Sequence, residues 1–134
     1  ISRELRSHTD ACGVDFISLI AQTTNDARVR KIASTAGGFL YYISITGVTG
    51  TAKPQPGDVR EEVSRIKKMT ALPVVVGFGI TTPGEAAEIA PFADGVVVGS
   101  ALVKLIEENS GKPDLIDLVS AFARDFKSKL CAKA

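Results

Sequence analysis

Short apolar runs alternate along this chain with longer stretches that have helical spacing. The runs are rich in β-branched and aromatic residues and predict strands at Val14–Ala21, Phe39–Ile45, Pro73–Phe78 and Gly95–Val98. The last two runs are uncharged, which predicts strands buried on both faces. Because the strands alternate with helices, the pattern predicts βαβ units and a parallel sheet.

Capping signals mark where several of the helices begin. Thr23–Asp26 offers caps for a helix that follows the first strand. Asp58 is predicted to cap a later helix, in which Glu61 is placed to pair with Arg65. Thr82–Glu85 has the residues of a capping box, with proline at the first helical position. Further helical stretches are predicted at Ile1–Ala11, Ala101–Glu108 and from Lys112 onward.

The fourth strand runs through Gly99 and Ser100 directly into the helical stretch Ala101–Glu108. In a (β/α)₈ TIM barrel, a short extra helix of this kind and the loops after strands seven and eight hold a phosphate group. The free N–H groups and the dipole at a helix N-terminus suit such an anion. We therefore predict an α/β fold that is the C-terminal half of a TIM barrel, with four βα units (strands five to eight) in a single domain over residues 1–134.

Composition excludes several classes of function. The chain has 134 residues, 45% of them hydrophobic, and its 16 basic and 15 acidic side chains give a net charge of +1, which predicts no nucleic-acid surface. Glycines break the longest uncharged run, Ile32–Ala52, so no membrane span is expected. Cys12 and Cys131 belong to no metal-binding pattern and are interpreted as free thiols of a reducing, cytoplasmic compartment. The start at Ile1, without methionine, suggests a processed, truncated or engineered piece.

Four segments together carry a family resemblance. They read FISLIAQTT at Phe16–Thr24, YYISITGVTG at Tyr41–Gly50, GFGI at Gly77–Ile80 and VVGSALV at Val97–Val103. In this order and at these spacings, the chain resembles the C-terminal half of the tryptophan synthase alpha subunit over nearly its whole length.

The resemblance implies a substrate, a set of binding residues and a partner. The substrate phosphate, on indole-3-glycerol phosphate or glyceraldehyde 3-phosphate, would lie against Gly50, Gly79, Gly99 and Ser100. Tyr41, Phe78 and Val97 would line the indole side, and Thr46–Gly57 would be a mobile loop in which Thr49 touches a catalytic carboxylate. The implied partner is the pyridoxal-phosphate-dependent beta subunit, and no cofactor or metal is expected in this chain itself.

Catalytic residues are expected to be absent from this half. The family cleaves indole-3-glycerol phosphate to indole and glyceraldehyde 3-phosphate by a retro-aldol reaction, and the resemblance places its two catalytic carboxylates in the other half. The predicted carboxyl ends of the strands carry no Asp, Glu, His, Lys or Cys, and Asp15 and Asp94 lie at the opposite ends of their strands. Acid/base catalysis needs a titratable group within reach of the proton. We therefore expect this chain alone to be inactive, although the resemblance implies that the parent protein is a carbon–carbon lyase.

Two alternatives remain open. The chain could be a non-catalytic phosphate-binding or self-associating half-barrel, because open strand edges require the missing half or a second copy. It could also belong to another phosphate-binding barrel family, although the Thr46–Gly50 loop argues against that. A dinucleotide site is disfavoured, because the third glycine of the G-x-G-x-x-G pattern would fall at Thr82.

Overall fold

The computed structural model describes residues 3–44, 55–77 and 79–131, and in this part of the chain helices alternate with four strands. The elements are α1 (Arg3–Ala11), β1 (Ser18–Ala21), α2 (Asp26–Ala33), β2 (Leu40–Ile43), α3 (Pro56–Lys67), β3 (Val74–Gly77), α4 (Pro83–Ile89), β4 (Gly95–Val97), α5 (Ser100–Glu108) and α6 (Leu115–Cys131).

All four strands are parallel and lie side by side in the order β1-β2-β3-β4. Strand order therefore follows chain order, as it does around a barrel, with no reversal of the kind found in doubly wound sheets. Within the described residues, β1 and β4 are the edge strands of this sheet.

One face of the sheet carries the hydrophobic core. Side chains that alternate along the strands point into this face and are almost fully buried, as Ile20, Leu40 and Val76 show. The helices contribute the residues that cover them. The core residues from the helices are Val29, Val59, Val63, Ile66, Ala86, Ile89 and Phe126.

The opposite face of the sheet is open. Leu19 in β1 is 57% exposed, and Val75 in β3 is only half-buried. The predicted burial of β3 and β4 on both faces is therefore wrong for this chain by itself. The apolar composition of the strands suits a closed barrel, in which both faces of the sheet are covered. The described residues supply helices that cover only one face.

Several predicted element boundaries are also corrected. The first strand begins at Ser18, later than predicted, and the last helix begins at Leu115. Helix α3 begins at Pro56 after an N-cap at Gln55, because proline fits the first turn, so Asp58 lies in that turn as an acidic residue and does not cap the helix. The predicted Glu61–Arg65 pair is replaced by contacts of Arg65 with other acidic residues.

Asp94 lies at the amino end of β4, as its position in the sequence predicts. Its carboxylate accepts a hydrogen bond from the Val74 N–H at 2.8 Å and another from Lys67 Nζ at 2.8 Å. The Asp94 N–H in turn donates to the Val74 carbonyl at 2.9 Å. Asp94 therefore joins β3 to β4 at the edge away from the predicted site, which is a structural role.

No helix in residues 3–44, 55–77 or 79–131 combines the length and the apolar character that crossing a bilayer requires.

Candidate functional site

The carboxyl ends of β3 and β4 bring two of the predicted glycines to the same level of the sheet. Gly77 and Val97 are register partners at the ends of these strands. Gly79 and Gly99 each follow two residues later, so they lie beyond neighbouring strand ends at equivalent positions. A β-carbon built on either Gly79 or Gly99 would meet no atom of the described residues within 4 Å. This edge of the sheet therefore leaves open space next to backbone.

Helix α5 begins at this edge without a side-chain cap. Gly99 is its N-cap residue and has no side chain, and the Gly99 carbonyl accepts the first helical hydrogen bond, from the Val103 N–H at 3.0 Å. The first N–H groups of a helix have no acceptor inside the helix. A groove of about 750 Å³ begins at Gly99 and Ser100 and runs along α5 past Val103 and Lys104. The uncapped, positive end of α5 thus opens onto solvent-accessible space.

The loop after β3 carries Gly79 in a left-handed conformation. Its φ of +72° is rare for any residue with a side chain. Thr82 and Glu85 form the predicted capping box of α4, which is therefore confirmed. Glu85 Oε2 also accepts hydrogen bonds from the N–H and hydroxyl groups of Thr81, at 2.7 and 3.0 Å. The N-terminal end of α4 is thus already occupied by the protein's own side chains.

The two adjacent tyrosines of β2 point to opposite faces of the sheet, as alternation along a strand requires. Tyr42 is buried in the core, where burial first, and then the charges of Glu62 and Asp58, raise its pKa to about 12 despite the opposing effect of Arg65. Tyr41 is half-buried on the open face, and its ring extends over Gly77.

Val97 shares the open face with Tyr41, according to the strand register. The structure therefore brings Tyr41 and Val97 to one face of the sheet, and Gly79, Gly99 and Ser100 to its carboxyl edge. The other predicted site residues, Thr49, Gly50 and Phe78, lie outside the described residues, as does most of the predicted mobile loop; its last residues, Pro56 and Gly57, belong to α3.

Two contributions to this region were missed in the sequence. Gly77 leaves room for the Tyr41 ring, and the only local signal in the sequence was a glycine that ends a run of three valines, Val74–Val76. Glu85 was assigned only to the helix cap, although it also holds Thr81 in the loop. Among the described residues, no cluster of three His, Cys, Asp or Glu side chains could hold a metal ion.

The sequence model of the tryptophan synthase alpha chain family matches residues 2–130. This chain belongs to the tryptophan synthase alpha chain family. The match selects this family over other phosphate-binding barrels, which had remained an alternative.

Curated relatives in the tryptophan synthase alpha chain family agree with the match. The chain is 44% identical over 124 residues to the tryptophan synthase alpha chain of Geobacter sp. strain M21, covering 92% of this chain and 46% of the relative. It is 47% identical over 110 residues to the tryptophan synthase alpha chain of Geotalea uraniireducens, covering 82% of this chain and 41% of the relative. The chain thus spans a little under half the length of the relatives it matches.

Solved structures of tryptophan synthase alpha chains share the fold. The alpha chain of Legionella pneumophila superposes with a TM-score of 0.80 at 29% identity, covering 98% of this chain and 48% of that one. A tryptophan synthase structure from M. tuberculosis gives a TM-score of 0.76 at 28% identity, covering 96% of this chain and 45% of that one. Together with the four parallel strands in sequential order, these similarities confirm the predicted half of a (β/α)₈ barrel.

Proposed function

We propose that this chain, acting as one domain over residues 1–134, is the phosphate-binding half of a tryptophan synthase alpha subunit of the cytoplasm. The complete protein would cleave indole-3-glycerol phosphate to indole and glyceraldehyde 3-phosphate, and would deliver indole to a pyridoxal-phosphate-dependent beta subunit. Family membership and the coverage of a little under half of each relative support this proposal.

One observation carries the phosphate assignment. The uncapped start of α5 at Gly99 and Ser100 adjoins open space at the same level as Gly79, while Glu85 and Thr82 already occupy the start of α4. A phosphate at this edge would accept hydrogen bonds from the backbone at α5 and would be favoured by the helix dipole. Gly50 would contribute from the loop after β2.

The indole moiety would lie on the open face of the sheet. Tyr41 and Val97 share this face near its carboxyl edge, and Phe78 follows Gly77 directly in the sequence. An aromatic ring has most to gain from apolar and aromatic walls of this kind. Thr49, on the proposed mobile loop, would contact a catalytic carboxylate supplied by the other half.

Replacing Gly99 by leucine tests the phosphate site. The φ of −107° and the open space at this position accept a side chain, so Gly99→Leu should fold normally. The new side chain would cover the start of α5, and we expect affinity for glyceraldehyde 3-phosphate, measured by calorimetry, to fall at least about tenfold. Ser110→Leu, at an exposed position just after the other end of α5, is the matched control. Unchanged affinity in Gly99→Leu would refute the phosphate assignment.

A second measurement tests the proposal that the catalytic acid/base groups lie in the other half of the protein. This chain alone should release no indole from indole-3-glycerol phosphate, because acid/base groups are expected only in the other half. Mixing it with the N-terminal half of the Geobacter relative should restore release. Turnover by this chain alone would refute the predicted inactivity.

The open face of the sheet favours one alternative function, that of a self-associating half-barrel. Leu19 is 57% exposed there, and the edges at β1 and β4 could pair with those of a second copy. Sedimentation equilibrium distinguishes the two possibilities: a stable dimer that excludes the N-terminal half would favour the alternative, and a monomer that binds this half would favour the alpha subunit.

A further inference from the structure

Glu85 makes more hydrogen bonds than a helix cap requires. In a capping box, the side chain at the third helical position returns to the N–H of the cap residue. Glu85 Oε2 makes this bond to Thr82 at 3.1 Å. The same oxygen also accepts from the Thr81 N–H at 2.7 Å and from Thr81 Oγ1 at 3.0 Å. Its contacts thus extend out of α4 into the loop that carries Gly79.

The loop is also held by its apolar residue. Ile80 lies between Gly79 and Thr81, and its side chain is only 6% exposed, within the core. On the other side of the loop, Gly77 is held in the sheet between β2 and β4. Gly79 therefore lies in a short segment that is anchored before it by the sheet and after it by Ile80 and the Glu85 contacts.

We propose that Glu85 is a positioning residue for the phosphate site, which fixes the backbone of the Gly79 loop through Thr81 and Thr82. This inference rests on the proposed phosphate-binding function. A backbone N–H binds an anion well only if it is already aimed at it, because ordering a flexible loop on binding costs conformational free energy. Glu85 would provide this order before the ligand arrives.

The negative charge of Glu85 is not what the role requires. A carboxylate near a bound phosphate would repel it, whereas the hydrogen-bond acceptor is what holds the loop. Glutamine keeps an acceptor oxygen at the same place and removes the charge. Glu85→Gln should therefore keep the loop ordered, and Glu85→Ala should release it.

The experiment has two readouts on the same variants of the full chain. The first is amide hydrogen exchange at Thr81 and Thr82 without ligand, measured by NMR. We expect exchange about tenfold faster in Glu85→Ala and within about threefold of wild type in Glu85→Gln. Glu88→Ala, which alters an exposed glutamate of the same helix, is the matched control and should leave exchange unchanged.

The second readout is the affinity for glyceraldehyde 3-phosphate. We expect it to fall about tenfold in Glu85→Ala and to stay at or above the wild-type value in Glu85→Gln, with thermal unfolding used to check that each variant is folded.

The outcomes separate this inference from the proposed function. Unchanged exchange in Glu85→Ala, or wild-type affinity in a variant whose loop exchanges faster, would overturn the positioning role. Equal losses of affinity in the alanine and glutamine variants would do the same. Absence of phosphate binding by the wild-type chain would instead refute the phosphate site, and with it the positioning role, while the exchange data would still report whether Glu85 holds the loop.

Discussion

The Tyr41 ring occupies the space over Gly77 in which the β-carbon of any other residue would lie. An ideal β-carbon at position 77 would overlap the Tyr41 hydroxyl and Cζ, and would approach Cε1 to 3.0 Å. Tyr41 pairs in register with Val75, so its side chain leans along the sheet toward the carboxyl edge. The glycine at the end of β3 and the tyrosine in β2 thus depend on each other sterically.

Gly77→Ala is expected to destabilise the protein by about 1–3 kcal/mol, the usual cost of overpacking. Tyr41→Phe should restore little of the loss, because Cζ remains in place, whereas Tyr41→Ala in the same chain should restore most of it. Urea unfolding measures these free energies. Gly95→Ala is the control, because its β-carbon would lie 3.4 Å from the nearest Val75 methyl group and should cost less. Additive effects of the two substitutions would contradict the steric dependence.

Arg65 connects α3 to the loop after β1, and Arg65→Lys should lower the free energy of unfolding by about 1–2 kcal/mol. The guanidinium donates to the Thr24 carbonyl at 3.1 Å and to Glu62 Oε2 at 2.8 and 3.1 Å, and it also pairs with Asp26. Lysine has a single ammonium nitrogen in place of the three guanidinium nitrogens, so it cannot reach these partners together.

The control for Arg65 is Arg28→Lys on the exposed surface of α2, which should change stability by less than about 0.5 kcal/mol. If Arg65→Lys changed the free energy of unfolding as little as the control does, the hydrogen bonds and ion pairs of Arg65 would contribute no measurable stability.

Asp94 is predicted to make stability depend on acid pH. Burial favours its neutral form and is the largest single influence, but the hydrogen bonds from Lys67 and the Val74 N–H, with the Lys67 charge, together lower its pKa. A lowered pKa in the folded state adds stability that is complete above the unfolded pKa of about 3.9 and is lost as pH falls through the folded value.

The difference in unfolding free energy between wild type and Asp94→Asn should therefore be constant from pH 7 to about pH 5 and should shrink below about pH 4. Urea unfolding at a series of pH values measures it, with Asp114→Asn as a matched loss of one charge. A difference that persists unchanged to pH 2 would show that the carboxylate charge contributes nothing.

Tyr42 is predicted to ionise at a pKa of about 12, because it is buried and faces Glu62 and Asp58, with Arg65 acting in the opposite direction. The chain has only two tyrosines, so absorbance at alkaline pH can follow them individually. Tyr42→Phe should remove the high-pH transition, and Tyr41→Phe should leave it in place.

A raised pKa implies that stability falls as pH rises from about 10 towards 12, since the unfolded tyrosine loses its proton first. If the high-pH transition survived in Tyr42→Phe, the raised pKa would not belong to Tyr42, and the prediction would be contradicted.

Much of the fold was accessible from sequence because its signals are local. Pro83 and the Thr82–Glu85 spacing predicted a helix start, and Gly99 before a helical stretch predicted the start of α5; both are found. For α3 the sequence predicted a cap at Asp58, whereas the helix begins at Pro56, because proline also suits a first helical turn and Asp58 lies inside that turn.

The sequence by itself determined the order of strands and helices, the capping box and, through its motifs, the family. These depend on residues within a few positions of one another or on segments that can be compared directly.

The strand pattern alone left open which of Tyr41 and Tyr42 faces the core, and the family resemblance placed Tyr41 on the indole side. Only the tertiary structure decided why position 77 is glycine and which partners Arg65 takes 39 and 41 residues away. Alternation along a strand makes both tyrosine orientations equally possible, and strand register and helix packing select one of them. The same packing leaves one face of the sheet open, because these described residues supply helices for one side alone.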